Sequence, residues 1–128
     1  MMIDLTCRLY IEGPESLDTL VEHVGTLTGG ARTGRTISTP SLEIDLELSE
    51  DADAKQAQTA DGFLYWLYGA YVEPGRQPMA EADYIALVAG LIVALLRDGW
   101  HGVASCDFED EIARLTGWNW SELTTAHP

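Results

Sequence analysis

Every second residue from Leu42 to Leu48 is aliphatic, and every residue between is an acid. Leu42, Ile44, Leu46 and Leu48 alternate with Glu43, Asp45 and Glu47. Successive side chains of a strand point to opposite faces, so this segment buries one face and holds three carboxylates on the other. A second run behaves alike: Ile3, Leu5, Cys7, Leu9 and Ile11 alternate with Asp4, Thr6, Arg8, Tyr10 and Glu12. Two half-buried strands need a cover for their apolar faces.

Helical stripes supply that cover. Gly13-Pro14 ends the first strand, Pro14 suits the first turn of a helix, and Glu15 and Asp18 complement its dipole. Leu17, Leu20, Val21, Val24 and Leu27 then fall at helical spacing, and Gly29-Gly30 stops the helix. Tyr84, Ile85, Leu87, Val88, Leu91, Ile92, Leu95 and Leu96 form a broader helical face closed by Asp98-Gly99. Phe63–Val72 is apolar and aromatic on both sides, which predicts a third strand. Its Trp66 and Tyr68 would share one face, Tyr65 and Tyr71 the other. Val103–Phe108 predicts a fourth strand, and Glu109–Leu115 a last helical turn or two. Residues 29–40 and 49–62 read as loops.

The order is β-α-β-β-α-β with a C-terminal extension. It predicts an α+β, ferredoxin-like sandwich: a four-stranded antiparallel sheet, in order 4-1-3-2, with two helices on one face. At 128 residues the chain has room for one domain, residues 1–117 as folded core and 118–128 as tail. A hydrophobic fraction of 46% is enough for a core.

Charge narrows the partners. Seven Lys and Arg stand against twenty-one Asp and Glu, for a net −14. The cations Arg8, Arg32, Arg35, Lys55, Arg76, Arg97 and Arg114 are scattered. Nucleic acid and anionic membranes both require clustered positive charge, so neither is an expected partner. Such a field favours basic proteins or metal ions, although acidity also serves solubility alone. The first residues lack the charged and apolar regions of a signal peptide, and Ile85–Leu96 is too short to span a bilayer. These features point to the cytoplasm.

Candidate chemistry is sparse. Gly29-Gly30-Ala31-Arg32-Thr33-Gly34-Arg35-Thr36 resembles a phosphate loop, but a helix precedes it, a strand follows it, and Arg35 stands where Lys is needed. Asp107, Glu109, Asp110 and Glu111 form the densest carboxylate cluster, which with Asp45 and Glu47 would suit a hard cation. Acids at a helix start also stabilise that helix without any metal. Cys7 and Cys106 share core-facing parity on the first and fourth strands; a disulfide is geometrically possible, while a reducing cytosol favours two buried thiols. His101 has the opposite parity to Cys106, so no nucleophile–base pair can be assembled from them. No catalytic residue, cofactor site or metal ligand set is read.

The outward set of the sheet is the best lead. Glu43, Asp45, Glu47, Trp66, Tyr68 and Asp107 would project together from the face that the helices leave bare. Carboxylates beside aromatic rings suit a basic protein, through pairing and stacking with Arg. Alternatively, the rings pack against Trp118 and Trp120 of the tail, or join two copies of the chain.

Three segments carry a resemblance: Phe63-Leu64-Tyr65-Trp66-Leu67-Tyr68, Tyr84-Ile85-Ala86-Leu87-Val88 and Ala104-Ser105-Cys106-Asp107-Phe108-Glu109-Asp110. Together they resemble a family of small uncharacterised actinobacterial proteins, similar in size to the immunity proteins found beside secreted polymorphic toxins. The resemblance covers about the last half of the chain, implies an immunity-type role, and brings no catalytic residues. The expectation is therefore an acidic protein-binding domain that neutralises a cationic toxin or other enzyme. Two alternatives stand beside it: a ligand-sensing or regulatory homodimer, and a small metal-dependent hydrolase using Asp107, Glu109 and Asp110.

Overall fold

The computed structural model describes residues 4–13, 15–50, 52–53, 55 and 62–117, apart from the side chain of Tyr65. Pro14, His127, Trp118, Trp120 and the rest of the expected tail lie outside the described residues.

Strand β1, Cys7–Glu12, buries Cys7, Leu9 and Ile11 and turns Arg8, Tyr10 and Glu12 outward. It starts later than the alternation from Ile3 predicts. The residues just before it are held by side chains instead of a ladder. Asp4 accepts from the Thr6 N–H at 2.9 Å, and the Tyr84 hydroxyl reaches the Leu5 carbonyl at 2.6 Å. Helix α1, Leu17–Thr28, is capped by Ser16, whose hydroxyl accepts from the Thr19 N–H at 3.2 Å. It buries Leu20, Val21 and Val24 and ends at Gly29 in the left-handed region, which donates back to the Gly25 carbonyl.

The expected loop at 29–40 is instead a hairpin, β2 (Ala31–Thr33) and β3 (Thr36–Ser38). Gly34 takes φ 64° at the first of two turn positions, the conformation that a tight hairpin with right-handed twist asks of glycine. Ile37 is the hairpin's one buried side chain, so no apolar alternation announced these strands. The phosphate-loop pattern is thus a helix cap followed by a turn.

Strand β4, Leu42–Leu48, follows its pattern as far as Leu46, with Leu42, Ile44 and Leu46 inward, while Leu48 at its end is exposed. A short 3-10 turn, Gly62–Tyr65, then precedes β5, Tyr68–Pro74. The third strand is therefore later and shorter than the apolar run predicts. Helix α2, Glu81–Arg97, buries Tyr84, Ile85, Val88, Leu91, Ile92 and Leu95, while Leu87 of the expected face is exposed. Strand β6, His101–Ser105, and helix α3, Glu109–Thr116, complete the described chain.

All six strands form one antiparallel sheet in the order β2-β3-β4-β5-β1-β6. The architecture is α+β with three helices, and the sheet has six strands, not four. One core cluster joins the inward residues of β1, β3, β4 and β5 to Leu20, Val21 and Val24 of α1, the buried stripe of α2, and Ile112 of α3. No helix among the described residues is long and apolar enough to cross a membrane.

Candidate binding face of the sheet

The outward residues are fixed by register. Thr36, Asp45, Tyr71, Arg8 and Ser105 lie in one row across five strands. Ser38, Glu43 and Glu73 form the row on one side of it. Glu47, Gly69, Tyr10 and Val103 form the row on the other.

The β4 side of this face is acidic and open. Glu43, Asp45 and Glu73 are exposed, and Glu43 stands directly opposite Glu73. Like charges in facing positions destabilise a sheet, by a few tenths to about 1 kcal/mol. Asp45 accepts a hydrogen bond from the Thr36 hydroxyl at 2.6 Å.

Arg8 occupies the centre. Its Nη1 pairs with Glu47 at 2.9 Å, and its guanidinium carbon lies 4.5 Å from the Tyr71 ring centre and 5.1 Å from that of Tyr10. Gly69 leaves room for it: a Cβ there would lie 3.1 Å from Nη2, and the guanidinium would have to shift by a few tenths of an ångström. Arg8, Tyr10, Glu47, Glu50 and Tyr71 line a polar hollow of about 440 Å³. The Arg8 Nε is buried and finds no hydrogen-bond partner among the described residues.

The other end of the face is partly covered, with His101 and Ser105 left exposed. Phe63 meets Tyr10 edge-on at 5.4 Å, and Trp66 meets His101 edge-on at 6.1 Å. Val103, outward by register, is only 1% exposed, yet it is not part of the main core. The chain around Gly62–Trp66 therefore builds a small second apolar cluster on the side without helices.

The six residues expected to act together divide three ways. Glu43, Asp45 and Glu47 do share the outward side of β4. Trp66 and Tyr68 do not join them, each being 4% exposed. Trp66 is part of the covered end, and Tyr68 points into the main core, where its hydroxyl donates to the Glu15 carbonyl at 2.5 Å. Pairing of Tyr71 with Arg8 and Asp45 puts that ring outward and Tyr68 inward, the reverse of the parity expected for the strand's rings. Tyr71, 42% exposed, is the ring beside the carboxylates. Tyr65, expected on the face of Tyr71, has a side chain outside the described residues. Asp107 lies past the end of β6, because the fourth strand stops at Ser105, and it accepts from the Asp4 N–H at 3.0 Å.

The carboxylates at the β6 end are likewise separated from those of β4. Strands β5 and β1 intervene, so the span is three inter-strand spacings, about 14 Å. Asp45 and Glu47 therefore cannot share a cation with Asp107, Glu109 and Asp110. Among the described residues, no three His, Cys, Asp or Glu side chains group as a metal site. Glu109, Asp110 and Glu111 occupy the first turn of α3. Burial, and then the charge of Asp110, push the Glu109 carboxyl above its ordinary range. Glu111 is held below that range by its hydrogen bond from Arg114.

His23 Nε2 lies 2.9 Å from the Asp98 carboxylate, where α2 ends. Tyr84 is buried among the helices and strands, and burial raises its hydroxyl well above the ordinary phenol range. Sequence reasoning gave no special role to Arg8 and Gly69, which organise the centre of the face. The available signal was a lone arginine in the outward set of the first strand, and a glycine inside a strand, which often marks a close approach.

Comparison of the chain with family models, curated proteins and solved structures gives no match.

Proposed function

We propose that the protein works by binding a basic protein, as an immunity or inhibitor protein does, through the open acidic side of its sheet. The contact residues in this reading are Glu43, Asp45, Glu47 and Glu73, with Tyr71 as the neighbouring ring. Asp107 contributes only to the surrounding field, Tyr68 packs in the core beneath the sheet, and Trp66 covers its far end. The observation that carries the reading is the facing pair Glu43 and Glu73. A like-charge pair at this register weakens the isolated sheet. A partner cation placed between the two acids removes that cost, so the arrangement favours the complex over the free chain. Net charge of −14 adds long-range attraction for the same class of partner.

The proposal extends to the scaffold. Strands β6, β1, β5 and β4, crossed by α1 and α2, serve as a ferredoxin-like β-α-β-β-α-β core, and the β2–β3 hairpin widens the face at its β4 edge. That reading is supported by the strand order.

An oligo-arginine peptide tests whether the attraction is local. Its affinity, measured over a salt series, should fall most for the triple reversal Glu43→Lys, Glu73→Lys and Asp45→Lys. A control triple on the helices, Glu81→Lys, Asp83→Lys and Asp110→Lys, changes net charge equally and should cost much less. Equal losses from both triples would assign the attraction to net charge and remove the acidic face from the account.

A further inference from the structure

Two thiols have no place in the acidic face. The β1–β6 register pairs Arg8 with Ser105, and one further step brings Cys7 opposite Cys106, where the chain leaves β6 for α3. Facing residues of antiparallel strands have Cα atoms about 4.5–5.5 Å apart, inside the range that a disulfide spans. Both cysteines are free here, Cys7 fully buried and Cys106 partly exposed. The Cys7 thiol donates to the Arg8 carbonyl at 3.8 Å, and each thiol lies near enough to shift the titration of the other.

We propose that Cys7 and Cys106 form a redox-active dithiol that exchanges with small neutral or cationic disulfides, Cys106 attacking and Cys7 resolving. The roles follow from position. Cys106 is the thiol a reagent can reach, and Cys7 lies behind it with no solvent access. The proximity of the two thiols sets the same direction. The neighbouring Cys7, helped by the Phe108 N–H, holds Cys106 below the ordinary thiol range despite partial burial. The neighbouring Cys106, with burial, pushes Cys7 above it. Thiolate character at an accessible sulfur is the condition for exchange.

The steps balance. The Cys106 thiolate attacks one sulfur of R–S–S–R; the S–S bond breaks, RS⁻ leaves, and a Cys106–S–S–R mixed disulfide forms. Cys7 then attacks the Cys106 sulfur and gives its proton to the second departing RS⁻. The protein loses two electrons and two protons as one Cys7–Cys106 bond forms, and R–S–S–R gains them to become two thiols. Charge selects the reagent. Asp107 and Glu109 flank Cys106, and Asp4 bonds to Asp107, so an anionic disulfide meets repulsion that a cationic one does not.

Cystamine, which is cationic, and oxidised glutathione, which is anionic, are the probes. With cystamine the reduced full-length protein should lose two hydrogens without retaining an adduct, and digestion should recover the Cys7 and Cys106 peptides linked. Cys7→Ala should stop at a cystamine adduct on Cys106, and folded Cys106→Ala should react at least about tenfold more slowly. Cystamine should outpace glutathione disulfide by about tenfold at low salt and by less at high salt. A lasting adduct on the wild-type chain, or equal rates for Cys106→Ala and Cys7→Ala, would overturn the proposal. Equal rates for the two reagents would overturn its charge selection. The linked-peptide result on the wild-type chain stands even if Cys7→Ala does not fold.

Discussion

The two ends of the helix-free face differ more than its alternating sequence suggests. At the β4 side, Glu43, Asp45 and Glu73 stand exposed around Tyr71. Toward β6, Trp66 and Phe63 fold over the same sheet and Val103 is buried, while His101 and Ser105 stay exposed at the strand's two ends. Both ends obey the strand period. What separates them is a segment outside the strands, Gly62–Trp66, that folds back over one end only. Polarity of an outward row therefore tells which way side chains point, and not whether they meet water.

Core substitutions set the scale against which this comparison can be broken. Leu9→Ala, at the centre of the main core, should cost about 4 kcal/mol in urea unfolding, since it leaves a cavity beneath both helices. Trp66→Ala at the covered end should cost about 3 kcal/mol. Tyr71→Ala on the open end should cost well under half of that. Equal costs for Trp66→Ala and Tyr71→Ala would mean that the two ends do not differ in cover.

A smaller effect of opposite sign sharpens the other side of the comparison. Glu43→Gln should raise stability by roughly 0.5 kcal/mol at low salt, and the gain should shrink as salt screens Glu73. A loss of stability would show that the facing acids do not repel in the folded chain.

The smallest effect is one of pH. Glu109 has its folded pKa raised by burial, so its neutral form is favoured in the folded state. That contribution is present below the unfolded carboxylate value and is lost as pH rises through the folded one. Glu109→Gln should therefore flatten the fall in stability on the alkaline side of the ordinary carboxylate range. An unchanged pH profile in thermal unfolding would count against a buried role for this acid.

Much of the main core was legible beforehand. The Leu42–Leu48 alternation, the α1 stripe and the α2 stripe appear in the main as read, with Leu48 and Leu87 exposed against expectation, because each buries one face against one core. The β2–β3 hairpin was hidden, since three-residue strands with exposed side chains carry no periodic signal beyond Ile37. The candidate site was legible only on β4. Phe63–Val72 is apolar throughout, and an apolar run does not state which of its faces turns inward; register with β1 and β4 sends Tyr68 inward and Tyr71 outward.

The sequence by itself determined the acidic charge, the half-buried strands and the two helical stripes, because these depend on residues near one another along the chain. Only the tertiary structure decided that Glu43 faces Glu73, that Arg8 sits between two tyrosines over Gly69, and that Cys106 lies against Cys7. Each of those pairings depends on which strands become neighbours and at what register. The free energy of packing the whole sheet against its helices sets that register, and no local pattern encodes it.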